Sequence, residues 1–348
     1  MTQKILILAP QTDDHAPWVA QELINRGHKV DALCGSDFPR LDTVSLRIAQ
    51  SKTNVRIRKS GHADSALCLE EYSTVWRRRG ETPQTDEAAL HPDDRPFAAN
   101  EAEAAANGWR DLSALSKTRW VNPRQAAERA DYNKPYQLHV AARCGLSTPD
   151  TLISNDPTAI AEFHAAHEKC IIYKPLTPAL FREQDGDKVS FVDIFPDNAF
   201  DDPDVLRLAP GIYQPYIEKA YELRITVMGQ RCIAARIRNQ HVEGAEIDWR
   251  SKVGHTDIDL VQLPASVERA LLKFMHRMGL VFGAVDMVVT PEGEHVFLEV
   301  NQMGQFLWVD RIVGSQVLLH AMCDFLTDTT AKPLPDISRN RFALAPVA

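Results

Sequence analysis

The residues best suited to chemistry lie near the end of the chain, in two apolar segments that flank a turn. Residues 281–289 carry Asp286, and residues 295–301 carry Glu299 and Asn301. Each segment is rich in Val, Phe and other residues that favour β-strands. Pro-Glu-Gly-Glu between them supplies a turn, so the two segments predict a β-hairpin.

This hairpin is expected to bring the three polar residues onto one face. With Glu292-Gly293 as a two-residue loop, Asp286 lies opposite Glu299, and Ala284 lies opposite Asn301. Directly opposed residues have Cβ atoms about 5 Å apart, so the two carboxylates repel each other in apolar surroundings. A divalent cation removes that repulsion, and carboxylate and amide oxygens are ligands that Mg²⁺ accepts. The alternative is a solvated hairpin face that is acidic by chance, which the apolar neighbours disfavour.

The hairpin and a series of other motifs resemble the ATP-grasp ligases. Asp286 followed by Phe297-Leu-Glu-Val-Asn301 is similar to the metal-binding signature of that superfamily. Nine further motifs occur in the order found in its graspetide synthetase branch, the microviridin-type peptide maturases, which are similar to RimK-type ligases. These motifs are Val75-Trp-Arg-Arg-Arg79, Arg119-Trp-Val-Asn-Pro123, Asn133-Lys134, Gly145-Leu-Ser-Thr-Pro149, Tyr173-Lys-Pro175, Gln214-Pro-Tyr-Ile-Glu-Lys219, Glu222-Leu-Arg-Ile-Thr-Val227, Asp248-Trp-Arg250 and Gly304-Gln-Phe-Leu-Trp308.

The resemblance implies a fold, a reaction and a set of partners. The fold is the ATP-grasp fold, of mixed α/β (α+β) class, with an N-terminal doubly wound pre-ATP-grasp domain. The reaction uses ATP and Mg²⁺ to activate side-chain carboxylates as acyl phosphates, which a hydroxyl or amine then attacks. The product is an ester or amide cross-link in a ribosomal precursor peptide with a leader and an acidic core. Catalysis then depends mainly on positioning and charge neutralisation, and a homodimer is expected.

Two lysines match the nucleotide lysines of the family. Lys134 lies at a predicted helix start and, considered by itself, is better explained as an exposed helix residue. Lys174 ends the buried run Ile-Ile-Tyr-Lys, which favours a functional role. Residues 214–219 resemble the hinge strand whose backbone reads adenine. By resemblance, the nucleotide contacts are therefore Lys134, Lys174, Gln214, Tyr216, Ile217, Glu218 and Glu222.

Four arginines are candidates for binding phosphate. Arg224, Arg236 and Arg238 lie in predicted strands, and Arg250 ends the Asp-Trp-Arg motif. Guanidinium groups clustered on one sheet face suit bidentate capture of phosphate and of an acyl phosphate. The alternative is a surface ladder of salt bridges with nearby acids. By resemblance, Arg224, Arg238 and Arg250 are the expected catalytic contacts. The lid region 175–187 contains a single glycine, unlike the glycine-rich lid of many ATP-grasp enzymes, so its phosphate contacts are not assigned.

Periodicity divides the chain into regions. Residues 4–9 read as a buried strand, followed by a helix with Trp18, Val19, Leu23 and Ile24 on one side. Residues 81–107 show no core pattern and are expected to form an exposed excursion. Asn122 is expected to cap a helix that starts at Pro123, and residues 265–279 form an amphipathic helix. The predicted domains are 1–122 (pre-ATP-grasp), 123–210 (lid), 211–330 (C-terminal ATP-grasp) and a 331–348 tail.

Composition limits the function classes. The 348 residues carry a net charge of −8, which argues against a nucleic-acid partner. Six scattered cysteines and a short N-terminal apolar run indicate a cytoplasmic protein without a signal peptide or membrane partner. Two other hypotheses are an ATP-grasp ligase for amino acids or other small substrates, and a nucleotide-binding regulatory module without turnover.

Overall fold

The computed structural model describes residues 2–50, 52–61, 66–114, 118–177, 180–183, 186–189, 192–238 and 257–328. The strands in this part of the chain are β1 (Lys4–Leu8), β2 (Lys29–Leu33), β3 (Thr43–Ala49), β4 (Lys52–Arg58), β5 (Ala66–Cys68), β6 (Thr74–Arg77), β7 (Arg119–Val121), β8 (Leu152–Ser154), β9 (Ile171–Lys174), β10 (Leu180–Glu183), β11 (Gly186–Val189), β12 (Asp193–Ile194), β13 (Gly211–Pro215), β14 (Tyr221–Met228), β15 (Arg231–Arg238), β16 (Asp257–Val261), β17 (Phe282–Val289) and β18 (His295–Asn301). The α-helices are α1 (Ala16–Asn25), α2 (Arg95–Ala114), α3 (Arg124–Ala130), α4 (Lys134–Cys144), α5 (Pro157–Ala166), α6 (Pro203–Leu208), α7 (Ala265–Met278), α8 (Leu307–Val313) and α9 (Val317–Thr327). The predicted α/β class is confirmed.

The described residues form two compact units. The first lies within residues 1–128, 279–282 and 305–348, and the second within 129–278 and 283–304. None of the helices in the described part of the chain combines the length and the apolar composition that a bilayer crossing needs.

The first unit contains a parallel sheet of order β2-β1-β6-β7 and a separate antiparallel sheet, β3-β4-β5. The predicted first strand and the helix after it are confirmed; Gly27, at φ +82°, follows the helix and leads into β2. Within α1, however, Trp18 and Ile24 are exposed while Val19 and Leu23 are fully buried. The apolar stripe is narrower than predicted because it follows positions 16, 19 and 23.

The expected excursion over residues 81–107 is wrong in its second half, where α2 forms. Its inner face carries Ala102, Ala106 and Trp109, all buried and spaced four and three residues apart. Alanines give a weak apolar signal, so this helical stripe was not visible in the sequence.

The second unit contains the antiparallel sheet β12-β9-β13-β8, the β10-β11 hairpin, and a five-stranded sheet of order β16-β15-β14-β17-β18. Helix α7 buries Leu271, Phe274, Met275 and Met278, as its periodicity predicted. Phe274 packs against Phe297 of β18, with ring centroids 4.9 Å apart. The apolar face of α7 therefore packs against the β17–β18 hairpin.

Candidate active site

The hairpin connection differs from the prediction. The backbone N–H of Thr290 donates to Glu294 O (3.0 Å), and that of Gly293 donates to Thr290 O (2.9 Å). The loop is therefore Pro291-Glu292-Gly293, with Gly293 at φ +87°. A three-residue loop with a left-handed glycine is a common hairpin type. The predicted two-residue loop is wrong.

A β-bulge nevertheless restores the predicted pairing at the site. Met287 pairs with Phe297 near the turn, but the register shifts after Asp286, which pairs with Glu299. Leu298 is the extra residue. Without the bulge, the register near the turn would continue and place Leu298 opposite Asp286. Glu299 would then point to the other face of the sheet, because successive side chains alternate between faces. The bulge is what brings the two carboxylates together, with Asn301 on the same face.

Each carboxylate has a basic partner. Both oxygens of Asp286 accept from Arg224 Nη1, at 2.8 and 2.9 Å, and both side chains are about nine-tenths buried. Glu299 Oε2 lies 3.5 Å from Lys134 Nζ, the first residue of α4. Lys134 is therefore not simply an exposed helix residue. These two bases balance the charges that the hairpin brings together.

Helix α4 is fixed to the outer edge of β18 by Gln137. This buried amide accepts from Val300 N–H (2.8 Å) and donates to Val300 O (3.0 Å) and Ala130 O (2.9 Å). It thereby takes the place of a neighbouring strand between Glu299 and Asn301. Closer to the turn, Ser147 O accepts from Phe297 N–H at 2.8 Å. The edge strand that carries two site residues is thus hydrogen-bonded on its outer side at Phe297 and Val300.

Small residues form the wall behind the carboxylates. Ala284 is fully buried opposite Asn301. A Cβ on Gly304 would lie 2.3 Å from Ala284 Cβ and 3.1 Å from Arg224 Nη2. Gly304 therefore lets the chain pass close behind the guanidinium group.

The donor set fits a hard divalent cation. Two opposed carboxylates and the Asn301 amide lie on one face, and this is oxygen chemistry suited to Mg²⁺. Among the described residues there is no group of three or more His, Cys, Asp or Glu that could hold a metal. Two carboxylates and an amide leave coordination positions for phosphate oxygens or water.

A second polar group lies in the sheet that contains β9 and β13. Lys174 Nζ donates to Gln214 Oε1 (2.9 Å), and Gln214 Nε2 donates to Thr151 Oγ1 (2.9 Å). Lys174 is opposite Ile212, so it shares a strand face with Gln214. The structure thus brings Lys174 and Gln214 into contact, two residues that the sequence motifs had each predicted to bind the nucleotide.

The connection from β13 to β14 carries the other predicted nucleotide contacts. Tyr216 N–H donates to Cys170 O at 3.0 Å, and Ile217 is half-buried. Glu218 is exposed, whereas Glu222 is buried in an ion pair with Lys219. Glu222 therefore stabilises the end of the β13–β14 connection through its ion pair with Lys219.

The expected single face of guanidinium groups is wrong. Leu223 pairs with Arg236, so Arg236 and Arg238 point to the face opposite Arg224. Both instead form the salt-bridge ladder that was the alternative prediction. Arg236 binds Asp259 at 3.0 and 2.7 Å, and Arg238 binds Asp257 at 3.0 Å and Asp259 at 2.6 Å. The hydrogen bond from Arg236 holds the pKa of Asp259 below its ordinary value.

Two other sequence-based expectations cannot be placed in the structure. Arg250 and its Asp-Trp-Arg motif lie outside the described residues, as does the 331–348 tail. In the lid region, the backbone of the hairpin β10–β11 is described. Residues 178–179 and 184–185 also lie outside the described part.

Comparisons with known proteins identify the family of this chain. No protein-family model and no curated protein matches the sequence. Among solved structures, the macrocyclase MdnC from Microcystis aeruginosa MRC, bound to its precursor peptide MdnA, is 30% identical, with a TM-score of 0.79 over 92% of this chain and 98% of that chain. The chain belongs to the graspetide synthetase branch of the ATP-grasp ligases.

Two further structures are similar to this ATP-grasp ligase. One is a RiPP-associated ATP-grasp ligase from Chryseobacterium gregarium, in complex with ADP and a leader and core peptide. It is 25% identical, with a TM-score of 0.84 over 93% of this chain and 96% of that chain. The other is the macrocyclase MdnB from M. aeruginosa MRC, at 26% identity and a TM-score of 0.75 over 93% and 99% of the two chains. The resemblance in the sequence motifs is confirmed, and the protein is an ATP-dependent ligase.

Sequence reasoning missed three residues of the candidate site. Gln137 lies three positions after Lys134, so both point to one side of α4. A polar residue in a buried helical stripe was the available signal. Gly304 opens a recognised motif, but its role depends on Ala284 and Arg224, which are distant in sequence. Thr151 carried no signal, because its hydroxyl, which donates locally to Pro149 O at 2.8 Å, accepts from the distant Gln214 only in the folded sheet.

Proposed function

We propose that this graspetide synthetase uses ATP to join side chains within a ribosomal precursor peptide that has a leader and an acidic core. The observation that carries the proposal is the 30% identity to a precursor-bound macrocyclase over nearly the full length of both chains. The paired Asp286 and Glu299 at the bulge support it, because ligase chemistry of this kind concentrates phosphate charge at one point.

The proposed reaction has two steps. A peptide carboxylate takes the terminal phosphoryl group of ATP, which gives an acyl phosphate and ADP. A hydroxyl or amine of the same peptide then attacks the acyl carbon, and phosphate leaves. Each ester or amide bond therefore removes one water from the peptide. No nucleophile from the protein is needed, so the protein contributes positioning and charge.

We assign Mg²⁺ to Asp286, Glu299 and Asn301. When bound there, the cation would neutralise phosphate charge. Lys134 contacts Glu299 and is placed to exchange that partner for a phosphate. Arg224 is held in one orientation by Asp286, which positions its guanidinium group for contact with an anion.

Nucleotide binding is assigned to the end of β9, to β13 and to the residues that follow β13. Lys174 of β9 and Gln214 of β13 are hydrogen-bonded to each other, and Tyr216, Ile217, Glu218 and Glu222 follow in the chain. Arg238 and Arg250 stay predictions as acyl-phosphate contacts. The ladder to Asp257 and Asp259 makes Arg238 the weaker of these two assignments.

The domain division also belongs to the proposal. It assigns residues 1–122 to a pre-ATP-grasp domain, 123–210 to the lid and 211–330 to the C-terminal ATP-grasp domain. The 331–348 tail lies outside the described residues. A homodimer in the cytoplasm completes the proposal, and sedimentation equilibrium of the purified protein tests the dimer.

The test uses purified protein, ATP, Mg²⁺ and a co-encoded peptide rich in Asp or Glu and in Ser, Thr or Lys. Mass spectrometry should show loss of one water mass per bond, with matching release of ADP. Glu299→Gln keeps the size of the side chain and removes its charge, so ADP release should fall about 100-fold. Glu292→Gln, exposed in the same hairpin loop, is the matched control and should leave ADP release unchanged.

The outcomes separate the hypotheses. ADP release that free amino acids stimulate, without any peptide, would favour a ligase for small substrates. Nucleotide binding without any turnover would favour a regulatory module. Unchanged ADP release in Glu299→Gln would refute the metal assignment itself.

A further inference from the structure

The first unit contains a cavity that the proposed reaction does not use. Leu8, Leu33 and Arg77 line it, and each is the last residue of its strand, β1, β2 and β6 respectively. These strands are parallel, and the chain leaves β1 toward β2 on one side while β6 pairs on the other. Ligands of doubly wound sheets bind at such a reversal, outside the carboxyl ends of the strands.

Three arginines give the cavity a positive wall. Arg77 and Arg79 come from the Trp-Arg-Arg-Arg motif that begins at the end of β6, and Arg110 comes from α2. Burial, together with the neighbouring charges of Arg77 and Arg124, lowers the pKa of Arg110 to about 10, although the carboxylates of Glu128 and Glu103 act in the opposite direction. Positive side chains held close together in a partly buried site attract an anion.

The two acids in the wall are already engaged. Glu81 Oε2 accepts from Gly35 N–H at 2.7 Å and from Ser36 N–H at 3.3 Å, so it holds the loop after β2. Asp42 Oδ1 accepts from Ser60 N–H at 3.0 Å. Backbone donors thus take up part of the acidic charge in the wall.

Two glycines leave room beside the guanidinium groups. A Cβ on Gly80 would lie 2.3 Å from Arg77 Nη2, and one on Gly35 would lie 3.5 Å from Arg110 Nη2. The Gly80 position therefore tolerates no side chain unless Arg77 moves.

Size and lining define the ligand. The cavity measures about 40 Å³, and a water-sized group takes roughly 10–15 Å³, so about three such groups fit. That is room for a carboxyl group and one methylene, and far too little for a nucleotide. Val44, Ile57 and Trp109 supply an apolar wall for the methylene part.

We propose that this cavity binds the carboxylate of an acidic side chain of the peptide substrate, as a docking point separate from the reacting carboxylate. That the carboxylate comes from a peptide rests on the proposed function. The carboxylate specificity itself rests on the cavity alone.

The direct test follows the indole N–H signal of Trp109 by ¹⁵N NMR in the full-length protein, with the signal assigned from Trp109→Phe. N-acetyl-glutamate amide should shift this signal in a saturable way, and N-acetyl-glutamine amide, which has the same shape without the charge, should not. Equal shifts with both probes, or with neither, would overturn the proposal.

Arg110→Met removes the charge and keeps most of the apolar stem. It should weaken binding of N-acetyl-glutamate amide and raise the KM of the peptide, each about tenfold, and leave kcat unchanged. Arg47→Met, an exposed position on β3, is the matched control and should change neither value. An unchanged KM in Arg110→Met, with Trp109 unresponsive in the unmodified protein, would refute the docking point.

The two proposals fail in different ways. If no peptide supports turnover but the carboxylate probe still shifts Trp109, the proposed function fails and the cavity assignment stands. If peptides are cyclised with unchanged KM in Arg110→Met and the probe has no effect, the cavity assignment alone fails. A peptide with an amidated C-terminus should bind as well as the free acid, because the expected ligand is a side chain.

Discussion

Gln137→Leu should loosen the strand that carries Glu299 and Asn301. The side chain is 3% exposed and bonds both polar groups of the Val300 backbone, at 2.8 and 3.0 Å. Leucine fills similar space but leaves that N–H and C=O without their partner at the sheet edge. At about 1–3 kcal/mol for each unsatisfied buried group, the expected loss of unfolding free energy is about 3 kcal/mol.

The assay combines urea unfolding with hydrogen exchange and nucleotide kinetics. Exchange of the Val300 amide should become faster in the variant, whereas amides of β14 and β15 should keep their protection. Since Lys134 lies on the same helix as Gln137, the KM for ATP should rise about tenfold. Gln262→Leu, at an exposed position after β16, is the matched control. Unchanged stability together with an unchanged KM would refute the role of Gln137 as a substitute strand partner.

Three further predictions follow from other contacts. Gly304→Ala should lower kcat about tenfold or more, because the new Cβ lies 2.3 Å from Ala284 Cβ, and steady-state ADP release measures it. His15, whose Nε2 accepts from the backbone N–H of Phe306 at 2.9 Å, has its pKa lowered to about 4, chiefly by burial. Because only the unfolded chain takes up this proton between pH 6.5 and 4, the contribution of His15 is present at pH 7 and about 2 kcal/mol smaller at pH 5; urea unfolding at both pH values measures this, and His15→Gln should lose the dependence. Arg236→Met should change the unfolding free energy by less than about 1 kcal/mol and leave the KM for ATP unchanged, since its ion pairs are partly exposed on the face opposite the carboxylates; a tenfold change in that KM would contradict this.

Local chemistry in the sequence predicted much of the fold. Apolar runs placed most strands of the second unit, and the stripe of α7 was correct because helical period is a local property. The two ends of α4 also depend on neighbouring residues alone. Asn133 accepts from Tyr136 N–H at the start of the helix, and Gly145 ends it at φ +91°. By contrast, Asn122, expected to cap α3, bonds the backbone of Val281 and Phe282 instead, at 2.8 to 2.9 Å.

The hairpin shows how a correct pairing can follow from an incomplete argument. The expected loop had two residues, and the structure has three together with a bulge at Leu298. Each difference alone turns the side chains over, and the two cancel at Asp286 and Glu299. Bulges depend on packing against neighbouring elements, so the residue pattern of one strand does not reveal them.

The sequence alone was enough to identify the family and the carboxylate residues of the candidate site. Ordered motifs, and polar residues within apolar strands, can be recognised within single segments of the chain. The tertiary structure decided which groups meet. It paired Arg224 with Asp286, turned Arg236 and Arg238 to the other face, and gave Gln137 the edge of β18. These pairings join residues far apart in the chain, and their geometry depends on sheet order and register. Those properties exist only once the strands have assembled.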